Sequence, residues 1–95
     1  MSSRLSGKSI IVTGGTSGIG AAIACSIIDE GGQVLVHGIN RGEGEALVQS
    51  LGSNAALCIS DLAEEAAPQV IVNAALAAFG KIDGLVNNAA IIERS

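Results

Sequence analysis

The stretch Ile10-Ile11-Val12-Thr13-Gly14-Gly15-Thr16-Ser17-Gly18-Ile19-Gly20 constrains the fold more than any other. A β-branched run ends at Thr13, passes through a glycine-rich loop, and opens into the Ala/Ile-rich run Ala21 to Ile28. That reads as strand, turn and helix, the context in which a glycine motif carries meaning. Gly14 lets the chain turn sharply off the strand, where a Cβ would resist the required angles. Gly18 leaves room for a phosphate to approach the main chain, and Gly20 lets the helix lie close on its strand. The helix begins with N–H groups lacking intrahelical partners and a partial positive charge, so the loop reads as a cradle for a diphosphate. The same pattern without a ligand would be a plain glycine-rich β–α turn.

The rest of the chain repeats the alternation. Ser9 to Val12 reads as the first strand, apolar without alternation, as expected of a parallel strand covered on both faces. Ile19 to Glu30 reads as the first helix, with Ile19, Ile23 and Ile27 as its buried stripe, stopped by Gly31-Gly32. Gln33 to His37 is the second strand and residues 38–42 a loop. Glu43 to Leu51 is the second helix, with Ala46, Leu47 and Leu51 inward and Glu43 and Glu45 in its first turn. Ala55 to Ser60 is the third strand and Asp61 to Ala67 a loop. Pro68 suits the first position of a third helix, which runs to Phe79 and closes at Gly80. Ile82 to Asn87 is the fourth strand.

This order predicts an α/β fold, a Rossmann-like doubly wound parallel sheet of four strands in the order 3-2-1-4. Right-handed crossovers place the first two helices on one face and the third on the other. A ligand is expected at the carboxyl ends, where strand order reverses between strands 1 and 4. Ninety-five residues suit a single domain spanning 1–95.

Composition narrows the function classes. With one Phe, no Tyr and no Trp, the core must be Ile, Val, Leu and Ala. Net charge is −4 and no basic run exists, which disfavours nucleic acid and anionic membrane as partners. The longest apolar run, Val70 to Phe79, is broken by Asn73 and falls short of the ~20 residues a membrane span needs. The first eight residues hold no apolar signal segment, so a soluble, cytoplasmic chain is expected. Cys25 and Cys58 read as two small buried apolar residues rather than a disulfide or metal pair. No metal ligand set stands out.

Candidate binding residues gather at the predicted carboxyl ends. In the glycine loop and the start of the helix they are Gly14, Thr16, Ser17, Gly18, Ile19 and Gly20. Hydroxyls of Thr16 and Ser17 can bond phosphate or stabilise the turn. At the end of strand 2 an acid would hold the ribose 2′-hydroxyl of NAD and repel a 2′-phosphate. The sequence there is Gly38-Ile39-Asn40-Arg41, with no acid. Asn40 and Arg41 are therefore candidates, and the guanidinium suits a phosphate, which leans the reading to NADP over NAD. Arg41 can equally be a solvated residue at a helix start. His37, alone at a strand end with no partners for metal or catalysis, reads as structural.

The spacing Thr13-Gly14-x-x-x-Gly18-x-Gly20 differs from G-x-G-x-x-G and resembles that of the short-chain dehydrogenase/reductase family, in which this version binds NAD or NADP. Two more matches fall at the right strand ends. Asp61-Leu62 stands where the family's Asp accepts from the adenine amino group, although a loop carboxylate can also cap backbone N–H groups. Asn87-Asn88-Ala89-Ala90 resembles the family's Asn-Asn-Ala-Gly, which lines the adenosine side and ties strand 4 to its neighbours. Ala90 departs from the Gly, and Ile39 stands where NADP-using members often carry Arg. The resemblance spans roughly residues 8 to 92.

The resemblance implies alcohol–carbonyl oxidoreduction, carried by a Ser, a Tyr-x-x-x-Lys pair and a further Asn beyond strand 4. This chain has no tyrosine, and its lysines, Lys8 and Lys81, precede strands 1 and 4, at the edge opposite the cofactor. No catalytic residue is therefore assigned. The chain reads as the adenosine-binding half of such an enzyme, truncated relative to the family. The alternative is a non-catalytic dinucleotide-binding or oligomerising α/β module. An open strand 4 edge and a third helix apolar almost all round further imply a homo-oligomer.

Overall fold

The computed structural model describes residues 4–16 and 18–88. The elements are β1 (Ser9–Thr13), α1 (Gly18–Asp29), β2 (Gln33–Gly38), α2 (Arg41–Leu51), β3 (Ala55–Ile59), α3 (Ala67–Phe79) and β4 (Gly84–Asn87). All strand pairs are parallel, and the sheet order is β3-β2-β1-β4, the order expected. β1 lies at the reversal point. Its Ile11 stands in register with Leu35 on one side and Leu85 on the other.

Strand residues alternate between two faces, and each face has its own core. Val12, Val34 and Val36 pack with Ala24 and Ile27 of α1, joined by Leu47, Val48 and Leu51 of α2. Ile11, Leu35 and Cys58 pack on the other face with Ile71 and Ala75 of α3, joined by Phe79 and Ile82. The right-handed crossover rule thus placed the helices correctly. With no aromatic except Phe79, the β-branched strands do the filling that large rings do elsewhere.

Several local expectations are corrected. The buried stripe of α1 is Gly20, Ala24 and Ile27. Ile23 is half-buried and Ile19 is 69% exposed. A spacing of four drifts around a 3.6-residue helix, whereas 20, 24 and 27 stay on one face. Cys25 is consequently exposed, and Cys58 alone is buried; both are free thiols. Burial pushes the Cys58 thiol above its ordinary value.

Helix α2 starts two residues earlier than expected. Asn40 caps it, its Oδ1 accepting from Glu43 N at 2.9 Å. Only Glu43 then sits in the first turn. Ala46 is exposed, and Gly44 takes the inward position. A Cβ on Gly44 would come within 2.5 Å of Leu57 Cδ1, so the missing side chain is what lets α2 lie on β3. Helix α3 ends at Gly80 with φ 78°, a left-handed cap whose N–H returns to Leu76 O. Smaller differences lie at strand ends: β1 extends to Thr13, β2 to Gly38, β3 stops at Ile59, and β4 begins at Gly84. Among the described residues no helix is long and apolar enough to cross a membrane.

Candidate functional site

The carboxyl ends of the four strands converge on the glycine loop. Gly14 turns the chain off β1 with φ 63°, and Gly18 opens α1 with φ 59°, both in the region that glycine tolerates best. A Cβ built on Gly18 meets nothing within 4 Å, so the space over the first turn of α1 is open. Gly20 is the reverse case. Its Cβ would collide with Gly14 O, approach Gly15 Cα at 2.7 Å and Asn88 Nδ2 at 2.9 Å. The helix is therefore pressed onto its own loop rather than onto the strand, a sharper role for Gly20 than expected. The open side of this turn, over Gly18, is termed the seat; an α-helix leaves the N–H groups of its first turn without intrahelical partners.

Three neutral ties hold that seat. Thr13 Oγ1 donates to Asn87 Oδ1 at 3.0 Å, joining the ends of β1 and β4. Asn88 Nδ2 donates to Gly14 O at 3.0 Å. His37, only 2% exposed, lies between the glycine loop and the end of β3. Its Nδ1 accepts from Gly14 N at 3.2 Å and its Nε2 meets Ser60 O at 2.7 Å. The tautomer follows from the partners: an amide can only donate and a carbonyl can only accept, so the proton is on Nε2. His37 O also accepts from Gly15 N at 2.7 Å.

These ties change what the loop can offer a ligand. The amides of Gly14 and Gly15 point at His37 and not at the seat. Thr16 leans over β2, where a Cβ on Gly38 would come within 2.8 Å of its Oγ1. Ile19, expected in the core, stands exposed beside the seat.

A cleft of about 390 Å³ lies next to the seat, at the carboxyl ends of β2 and β3. Ile39, Ile59, Ser60, Asp61 and Glu64 line it. It is shallow and opens widely to solvent. Asp61 Oδ1 accepts from Ala63 N at 2.9 Å, so this carboxylate shapes its own loop while facing the cleft. Leu62 is 40% exposed beside it. At the outer rim, Asn40 is occupied as the α2 cap and Arg41 pairs with Glu45 at 3.6 Å, with both side chains exposed. An exposed pair of this kind holds the guanidinium weakly.

The structure brings Gly14, Thr16, Gly18, Ile19, Gly20, Asn40, Arg41, Asp61, Leu62 and Asn87 to one end of the sheet. Ser17, Ala89 and Ala90 lie outside the described residues. His37, Thr13 and Asn88 are the site residues that sequence reasoning undervalued. The one available signal for His37 is a polar ring directly after the apolar run Val34-Leu35-Val36. Lys81 sits at the opposite edge, 3.3 Å from Asp83.

Comparison with known proteins agrees with this architecture. The sequence profile described as short chain dehydrogenase matches residues 8–95. A 2,5-dichloro-2,5-cyclohexadiene-1,4-diol dehydrogenase of Sphingobium indicum is 49% identical over 89 residues, covering 94% of this chain and 36% of the relative. An NADP-dependent (R)-specific alcohol dehydrogenase of Lentilactobacillus kefiri is 39% identical over 93 residues, covering 96% and 37%. Among solved structures, a 3-ketoacyl-(acyl-carrier-protein) reductase from Brucella melitensis complexed with NADH superposes with TM-score 0.83 at 32% identity, covering 86% of this chain and 34% of that one. The chain thus spans about a third of the length of the relatives it matches. With the glycine turn, the strand order and the family profile in agreement, the chain belongs to the short-chain dehydrogenase family, of which it represents the amino-terminal portion.

Proposed function

We propose that this chain binds the adenosine half of NAD(P), with a lean to NADP, as the cofactor-binding portion of an alcohol–carbonyl oxidoreductase. The observation that carries the reading is the glycine turn feeding α1 at the point where strand order reverses, with open space over Gly18. In this reading the diphosphate sits over Thr16, Ser17, Gly18, Ile19 and Gly20, with Gly14 shaping the turn beneath them. The adenine enters the cleft beside Asp61 and Leu62, under Ile39. Asn87 would border the adenosine side, and the family resemblance implies the same for Ala89 and Ala90. A 2′-phosphate would fall near Asn40 and Arg41, where the Arg41–Glu45 pair is loose enough to be exchanged. The nicotinamide, when bound, would donate or accept hydride. This chain contributes no tyrosine to accompany that step, so its own residues bind and orient.

The lean to NADP rests on the residues after β2 alone. One relative's name specifies NADP and one structural neighbour holds NADH, so the comparisons point both ways. Calorimetric or NMR titration of the 95-residue chain separates the possibilities. NADP is expected to bind with a Kd on the order of 0.1–1 mM, about −4 to −5.5 kcal/mol. NAD should bind more weakly, and Arg41→Ala should erase the difference between them. Unchanged Gly18–Gly20 amide signals at saturating nucleotide reject the reading.

A second reading concerns assembly, and we infer it from exposed apolar surface. Leu85 of β4 is 61% exposed, and Val70 and Leu76 of α3 are 44% and 45% exposed. β4 is also an edge of the described sheet. A second copy of the chain pairing at this edge, or packing on α3, would cover both features. Sedimentation is expected to show a dimer or larger species at high micromolar concentration; a stable monomer there rejects it.

A further inference from the structure

We propose that His37 is a positioning residue for the nucleotide, a neutral bridge that sets the diphosphate loop and the adenine loop in one fixed relation. The inference rests on the nucleotide-binding reading and deepens it. Two features of the side chain and one of the backbone beside it support the inference. The side chain is almost wholly buried, yet it is polar and follows the apolar run Val34-Leu35-Val36 of its strand. Both of its nitrogens are engaged, one on each loop: Gly14 N at 3.2 Å and Ser60 O at 2.7 Å. Its own carbonyl and that of the next residue repeat the pattern, His37 O accepting from Gly15 N and Gly38 O accepting from Ser60 N at 3.1 Å.

The consequence is a division of labour among the amides. A diphosphate competes for every N–H in its reach. The ring holds the Gly14 amide and the backbone carbonyl of the same residue holds that of Gly15, which leaves the ligand to the amides at the start of α1. The same ring holds Ser60, and Asp61 follows at once on the cleft wall. Diphosphate and adenine are joined by a ribose of fixed length, so a ligand engages both loops only when their separation matches it. A ring of fixed size is a better spacer than a flexible side chain, since fewer torsions must be frozen when it binds. An aliphatic residue would fill the space and leave Gly14 N and Ser60 O without partners.

The test compares ADP, which spans both loops, with adenosine, which engages the cleft alone. His37→Leu and His37→Gln are titrated beside the unchanged chain, with circular dichroism and Tm recorded for each. His37→Leu is expected to lower ADP affinity about tenfold, the effect of an unpartnered buried group, and adenosine affinity less than about threefold. His37→Gln, whose amide carries one acceptor and one donor, should recover most of the ADP affinity. A residue that merely supported the fold would lower both ligands together and follow Tm. Nitrogen-15 spectra of the ring provide a readout independent of the variants: an unprotonated Nδ1 and a protonated Nε2 are expected, before and after ADP. If His37→Leu does not fold, the glutamine variant and the ring spectrum decide. Equal ADP affinity in the unchanged chain and in a folded His37→Leu variant overturns the inference alone. A protonated Nδ1 does the same. Failure of the unchanged chain to bind ADP overturns the nucleotide reading itself.

Discussion

β1 is fastened to β4 at both ends, and the two fastenings use different chemistry. At the amino end the Asp83 carboxylate accepts from Ser9 N at 2.8 Å, Asp83 N donates to Ser9 O at 2.7 Å, and Lys81 lies 3.3 Å from the same carboxylate. At the carboxyl end the ties are neutral: hydroxyl to amide oxygen between Thr13 and Asn87, and amide to carbonyl between Asn88 and Gly14. The difference has a physical reason. A carboxylate is a strong acceptor for a strand-end N–H, but beside the glycine loop it would repel a diphosphate. On the proposed reading, in which the anion binds at the glycine loop, charge at the amino end costs the ligand nothing. The carboxyl end fixes its loop with groups that add no charge, His37 among them in its neutral form.

The first way to break this contrast is to crowd the carboxyl end. Gly20→Ala places a methyl group against Gly14 O and within 2.7 Å of Gly15 Cα, and backbone cannot step aside cheaply. A loss of about 3 kcal/mol is expected, a large share of a small domain's stability, measured by urea unfolding. ADP affinity should vanish in whatever fraction remains folded. A stability within error of the unchanged chain would show the loop to be far more compliant than the contacts indicate.

The amino end should tolerate, and even reward, the same scale of change. Ser9 is fully buried and its hydroxyl has no partner among the described residues. Ser9→Ala removes an unpaired polar group and is expected to leave stability unchanged or raise it by up to ~1 kcal/mol. A drop of that size would mean the hydroxyl is satisfied by water at the sheet edge.

The smallest effect at neutral pH is expected from Asp83→Asn, which keeps an oxygen for Ser9 N and removes only the charge. The Ser9 N–H bond holds the Asp83 carboxyl below its ordinary value against some desolvation, with Lys81 and Lys8 adding to the lowering. A depressed carboxylate contributes stability that is present above its unfolded value of about 3.9 and is lost as pH falls through the folded value. The unchanged chain should therefore lose Tm more steeply below about pH 4 than the asparagine variant. Parallel Tm profiles would remove charge from the account of this end.

Much of the fold was readable because it depends on local alternation. Short apolar runs set off by glycines marked the strands, the β-α alternation of a doubly wound sheet set their order, and the crossover rule set the faces of the helices. The candidate site was readable as far as its backbone: glycines at 14, 18 and 20 mark a turn and a close approach, and Asp61 and Asn87 fall at strand ends. Side chains facing two neighbours at once were not readable. His37 looked solitary because its partners, Gly14 and Ser60, are each 23 residues away. Ile19 and Ala46 looked like core because hydropathy says nothing about where a helix overhangs its sheet. Nothing in the sequence marks Gly44 as inward-facing, because its role depends on Leu57, which fills the place a Cβ would take.

The sequence by itself determined that strands and helices alternate, that the strands run parallel, and that a glycine turn opens the first helix at the reversal point. Hydrogen bonding and chirality act over a few residues, so those features are written locally. Only the tertiary structure decided which amides the loop keeps for a ligand, because that depends on a ring from the neighbouring strand. The pairing of distant polar groups in a buried place is set by packing, and no run of consecutive residues records it.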